Sequence, residues 1–200
     1  MSKNIWFVSD THFGHANIIK FCRPEFGDAG ETQCNDMNEV MIERWNARVK
    51  PGDIVYHGGD FMWKYPNTVE DEATFAKRIS GRLNGTVRMF LGNHDNAKLL
   101  LHHGIVESID LWGVFKKEKF VFTHIPISTA QVRQGFVNVH GHTHNNAEGE
   151  PHHLNICVEH TGYAPVSYED MMAKVKGQNF EMMKAACEGT NDERVMREQS

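Results

Sequence analysis

An α/β fold is what this sequence predicts, and three observations predict it. Short apolar runs at Ile5 to Val8, Ile54 to Tyr56 and Val87 to Leu91 (broken only by Arg88) read as buried strands. Between them lie stretches whose apolar residues recur every three or four positions, the period of a helix face. The strands end in clusters of Gly, Asp, Asn and His, and α/β proteins build their sites at the carboxyl ends of strands.

Taken in order, strand Ile5 to Val8 runs into Ser9-Asp10-Thr11-His12-Phe13-Gly14-His15 and a short helix near Asn17 to Phe21. Cys22 to Gln33 holds Pro24, Gly27 and Gly30 without periodicity and reads as a surface loop. Asp36 with Glu39 opens a helix in capping-box fashion, and Met37, Met41, Trp45 and Val49 form its apolar face. Pro51-Gly52-Asp53 turns the chain into Ile54 to Tyr56, which ends in His57-Gly58-Gly59-Asp60. A helix from about Val69 to Ser80 follows, with Asn67 or Thr68 as N-cap and Gly81 closing it. Asn84-Gly85 turns into Val87 to Leu91, which delivers Gly92-Asn93-His94-Asp95 and a short helix near Ala97 to Leu101. Val106 to Phe122 reads as one or two hairpins around a solvated Lys116 to Lys119 turn. Phe136 to Val139 and Leu154 to Val158 are the last strands. Ser167 with Asp170 caps a closing helix that stops at Gly177. Residues 1–177 thus make one domain, and 178–200 a polar tail, partly helical or frayed.

Composition bounds the function. Two hundred residues can bury roughly 70% of their unfolded surface. No apolar run approaches the length of a membrane span, and the start carries no export pattern and no myristoylation glycine. A net charge of −5 argues against a large nucleic-acid footprint. The four cysteines lack C-x-x-C spacing, which fits reduced thiols in a cytoplasmic protein rather than thiolate zinc.

Thirteen histidines matter because many fall beside Gly and Asp at strand ends. Carboxylate oxygens and neutral imidazoles held together are what a divalent cation needs. Asp-x-His at Asp10 and His12, and His-x-His at His142 and His144, each present two ligands from one loop. With Asp60, Asn93 and His124 they make seven candidate ligands, too many for one tetrahedral ion and suited to two ions sharing a carboxylate. A metallo-β-lactamase pattern would require His-x-His-x-Asp-His, and Asn145-Asn146 follow His144 here.

In this order, Asp10-x-His12, Gly59-Asp60, Gly92-Asn93-His94-Asp95, His124 and Gly141-His142-x-His144 resemble the calcineurin-like metallophosphoesterases. These blocks span residues 10–144, about two thirds of the chain. The resemblance implies two mixed β-sheets packed face to face with helices outside. It implies one metal on Asp10, His12, Asp60 and His144, and another on Asp60, Asn93, His124 and His142, with Asp60 bridging. His94 would contact the phosphate and assist the leaving oxygen; Asp95 would orient an imidazole. The expected reaction is in-line attack of a metal-bound hydroxide on a small phosphate ester. A nucleotide-type diester is favoured slightly over a monoester or phosphoprotein, and the metals would be manganese, iron, zinc or nickel. A scaffold that has lost its ligands, or a nuclease, are the rivals.

Small bacterial and phage-type members share a His-Phe-Gly-His segment with a following Arg-Pro. That makes His15 a substrate contact candidate and Arg23 a phosphate or leaving-group contact, against a surface histidine and a solvated loop arginine. His57 reads as a packed core residue, and His102-His103 and His152-His153 as surface pairs.

Overall fold

The computed structural model describes residues 4–63, 70–146 and 152–179. Its strands are β1 (Ile5–Val8), β2 (Ile54–His57), β3 (Thr86–Phe90), β4 (Ser108–Asp110), β5 (Trp112–Phe115), β6 (Phe120–Thr123), β7 (Val137–His140), β8 (His153–Asn155) and β9 (Val166–Ser167). They form two mixed sheets, ordered β4-β3-β2-β1-β9 and β5-β6-β7-β8. In the first, β1 to β4 are parallel and β9 is antiparallel; in the second, β5 is antiparallel to β6 and the rest parallel.

The side-chain period of a strand splits β1 between two cores. Phe7 faces the second sheet, where it and Phe90 meet Phe120, Phe122, Val137 and Val139. Val8 faces outward with Val55, Val87 and Met89, under the helices. Those helices are α1 (Ala16–Cys22), α2 (Glu31–Arg48) and α3 (Glu72–Ser80), with α4 (Ala97–His102) and the single turn α5 (Val158–Thr161) placed after strand ends. Residues 168–179 are helical (α6), and Ser167 Oγ accepts the Asp170 amide as its N-cap.

Several boundaries differ from the sequence expectation. The segment Cys22 to Gln33 is not a loop throughout: Pro24–Phe26 is a 3-10 turn and α2 begins at Glu31. The buried stripe of α2 starts with Cys34 and continues through Met37, Asn38, Met41, Ile42 and Trp45, so packing extends the helix past the capping box at Asp36. Asn67, Thr68 and Val69 lie outside the described residues; Asp71 caps α3 by accepting the Thr74 amide at 2.9 Å. The expected strand Leu154 to Val158 ends early, because Asn155 Oδ1 accepts the Cys157 amide and turns the chain into α5. α6 runs through Gly177, whose surroundings are open. His152 and His153 are half-buried rather than a surface pair, and His153 Nε2 meets the Ile127 carbonyl at 2.9 Å.

Val106 to Phe122 holds one hairpin, β5–β6, turned at residues 116–119. β4 belongs to the other sheet, and Leu111 alone carries the chain across. Among the described residues no helix is long and apolar enough to cross a membrane, and Cys22, Cys34 and Cys157 are free thiols.

Candidate metal centre

Parallel pairing of β1, β2 and β3 brings their carboxyl ends side by side, and the pairing continues beyond the strands. The Asp10 amide donates to the Gly59 carbonyl and the His12 amide to the Asp60 carbonyl, each at 3.0 Å. From the second sheet, the Gly141 amide donates to the His124 carbonyl at 2.9 Å. The His142 amide donates to the Asp10 carboxylate at 2.9–3.0 Å. Five of the seven candidate ligands then leave their strands in left-handed backbone: Asp10, His12, Asp60, His142 and His144, with φ between 47° and 69°. That conformation costs on the order of 1–3 kcal/mol per residue and persists where surrounding contacts over-determine it. It swings side chains that would alternate along a strand onto one side.

Two glycines make room. A Cβ on Gly92 would overlap the Asp60 carboxylate, and one on Gly141 would overlap the Asp10 carboxylate and Ser9 Oγ.

The seven side chains converge. Asp60 Oδ2 stands 3.5 Å from His12 Nε2 and 3.4 Å from His124 Nε2. Asp10 Oδ1 lies 3.8 Å from His12 Nε2 and 3.9 Å from His144 Nε2. Asn93 Oδ1 is 2.8 Å from His124 Nε2 and 3.0 Å from His142 Nδ1. Donors on one ion, at bonds of ~2.1 Å, stand roughly 3–3.5 Å apart. Asp10, His12 and His144 form one group with donor atoms within 4.8 Å of one another, and Asp60, His124 and His142 a second.

The donors fit a cation in detail. Both ring nitrogens of His12 are buried without a hydrogen-bond partner, although carboxylates face Nε2. Asp10 Oδ2 is occupied by Ser9 Oγ at 2.5 Å and Cys157 Sγ at 3.3 Å, which leaves Oδ1 toward the histidines. His124 Nδ1 donates to the Gly58 carbonyl at 2.9 Å, and His144 Nδ1 to Glu159 Oε1 at 3.1 Å, so Nε2 of each carries the free lone pair.

The electrostatics agree. Burial opposes the charge on Asp10, yet His12, His124 and His144 outweigh it and hold the carboxyl well below its usual range. Burial likewise opposes Asp60, and His124 and His12 again prevail. Burial disfavours a proton on His124, but Asp60 and Asp10 push it up to about 9.

Two expected roles are corrected. Asp95 orients no imidazole: its carboxylate accepts the amides of Asp60, Phe61 and Gly92 at 2.8–2.9 Å and so shapes the loops around Asp60. Arg23 is neither solvated nor a substrate contact. It is 0% exposed, and its guanidinium is committed to Glu159, the Thr11 and Asp10 carbonyls and Met37 Sδ. His94 sits at the rim, its side chain 35% exposed and Nε2 4.0 Å from Asp60 Oδ2. His15 is half-buried beside His12 and stacks on Trp63 at 5.0 Å, and Trp63 meets His94 edge-on at 4.5 Å. His57 is buried, as expected. Glu159, Ser9, Cys157 and Trp63 were not evident from sequence; Glu159 had only its place just past the last strand to mark it.

Two packed mixed sheets with a candidate oxygen-and-imidazole cation site across their ends have the parts of a metal-dependent phosphoesterase. The profile of the calcineurin-like phosphoesterases matches residues 3–178, and the chain belongs to that family. An uncharacterized protein of Methanocaldococcus jannaschii, MJ1445, is 32% identical over 180 residues, covering 86% of this chain and 91% of that one. The Gene 66 protein of Mycobacterium phage D29 is 25% identical over 169 residues, covering 71% and 79%. Among solved structures, AQ665 of Aquifex aeolicus, a protein of unknown function, superimposes with a TM-score of 0.63. It is 27% identical, with 85% of this chain and 98% of that one covered.

Proposed function

We propose that the chain is a binuclear phosphoesterase acting on small phosphate esters, with diesters preferred. The observation that carries the two-ion reading is the place of Asp60 Oδ2, 3.5 Å from a histidine of one group and 3.4 Å from a histidine of the other. A carboxylate so placed serves both groups. Asp10, His12 and His144 with Asp60 would hold one divalent cation, and Asn93, His124 and His142 with Asp60 the other. A bound pair supplies an acidified water and offsets negative charge on the phosphate oxygens.

The protein's own part is orientation and proton handling. Hydrogen bonds on the far side of His124 and His144 fix the tautomer that turns Nε2 inward. Asp95 fixes Asp60 through the backbone. His94, open to solvent beside this cluster, is placed to stabilise or protonate the oxygen of the departing group. The diester preference rests on the rim. Arg23 is turned inward, and burial, with His12 and His94 nearby, pushes the His15 imidazole down to about 4. With the His15 imidazole uncharged and Arg23 withdrawn, the rim suits one phosphate charge better than two.

Elemental analysis with turnover of bis-nitrophenyl and mono-nitrophenyl phosphate across several metals tests this. Two ions per chain and faster diester cleavage are expected. One ion, or faster monoester cleavage, overturns the corresponding half.

A further inference from the structure

Behind the centre, Arg23 and Glu159 form an ion pair that phosphate chemistry does not need to touch. Their side chains are 0% and 3% exposed, with Nε to Oε1 at 2.8 Å. Glu159 Oε1 also accepts from His144 Nδ1 at 3.1 Å. Arg23 donates through Nη2 to the Asp10 carbonyl at 2.6 Å and through Nη1 to the Thr11 carbonyl at 3.0 Å. One guanidinium thus grips the loop carrying Asp10 and His12 and, through Glu159, the loop carrying His144. Removing two charges from water costs several kcal/mol per ion unless geometry and hydrogen bonds compensate, and breaking such a pair is worse than never having had it.

His144, Cys157 and Glu159 also present atoms within 4.8 Å of one another. Arg23 already supplies the positive charge there, and the Cys157 thiol donates to Asp10 Oδ2 at 3.3 Å, so this group takes no third cation.

We infer that Arg23 and Glu159 are a positioning pair that sets how tightly the Asp10, His12 and His144 position holds its cation, without reaching the Asn93, His124 and His142 position. The inference rests on the two-ion reading above. Glu159 holds the His144 tautomer whose Nε2 faces Asp10 Oδ1 at 3.9 Å. Arg23 ties the carbonyls of a loop in which Asp10 and His12 are both left-handed. On the other side, His142 is exposed and meets a neutral amide, Asn93.

Wild type, Glu159→Gln and the surface variant Glu39→Gln are dialysed against a series of free Mn²⁺ concentrations, then read by elemental analysis and EPR. Two ions and an exchange-coupled spectrum are expected for wild type and Glu39→Gln. Glu159→Gln should bind one of the two about 10–100-fold more weakly, with an isolated-ion spectrum in between. General loosening of the fold would weaken both ions together; that result, or two ions held at wild-type affinity, overturns the inference. A second measurement needs no variant to fold: in ¹⁵N-histidine spectra of the zinc-loaded wild type, His144 should carry its proton on Nδ1, and zinc on Nδ1 would refute the pair's role. Wild type that binds no second ion would sink the two-ion reading itself, so the two failures are separable.

Discussion

Asp60 concentrates the most consequence in one side chain. Asp60→Asn should abolish turnover and lower metal content on both sides of the carboxylate; full activity would refute the shared role. His94 reaches the centre from the rim, so His94→Ala should reduce turnover by roughly 10²–10⁴-fold while elemental analysis still finds the metal. His57 offers a test that needs no cation. It is wholly buried, its Nδ1 accepts the Gly59 amide at 3.1 Å and its Nε2 meets Thr11 Oγ1 at 3.1 Å. A second proton would break the first bond, and burial pushes its pKa down to about 3 from an ordinary 6.5. The unfolded chain therefore binds that proton first, and the stabilisation present above pH 6.5 is lost as pH falls toward 3. In chelator-treated protein, His57→Gln should flatten the acid side of the urea-stability profile; an unchanged slope would mean that another group sets it.

At the scale of elements, the strand tips and helix caps carry separate consequences. Gly92→Ala pushes a methyl group into Asp60. It should leave the circular dichroism spectrum intact and weaken Mn²⁺ binding by about 10–100-fold. Asp71→Ala removes the exposed cap of α3 and should cost about 1 kcal/mol in urea unfolding. The difference between these elements also marks what the sequence made legible. Asp, Asn and His beside Gly at a strand end declare their chemistry locally, so all seven converging side chains are legible in the sequence. Arg23 and Glu159 declare nothing locally. The direction of a loop arginine depends on a partner 136 positions away, and α2 begins early because of what its first turn packs against. Asp95 lies in plain view, but the donors its carboxylate accepts from are backbone amides, which no residue letter records.

For the whole molecule, strands and helices were readable from period, but the division into two sheets came only through family resemblance. A single residue, Leu111, separates β4 from β5, too little for any pattern to mark a change of sheet. That division decides how cations act on stability. Asp10, His12, Asp60 and Asn93 stand on loops of one sheet, and His124, His142 and His144 on loops of the other. Ions held by both layers favour the docked state by mass action. Mn²⁺ at about 100 times its dissociation constant should add about 2.7 kcal/mol per independent site, read as a shift in the urea midpoint; no shift would mean that the layers are not bridged.

The crossing at Leu111 has a bearing on birth as well as on stability. As the polypeptide is made, the candidate ligand imidazoles of the far layer are translated after β1 to β4, the last of them is His144, and β9 follows to complete the near layer. Before His142 no nascent fragment holds either of the two proposed ligand sets in full, so hydrolytic competence would require both layers.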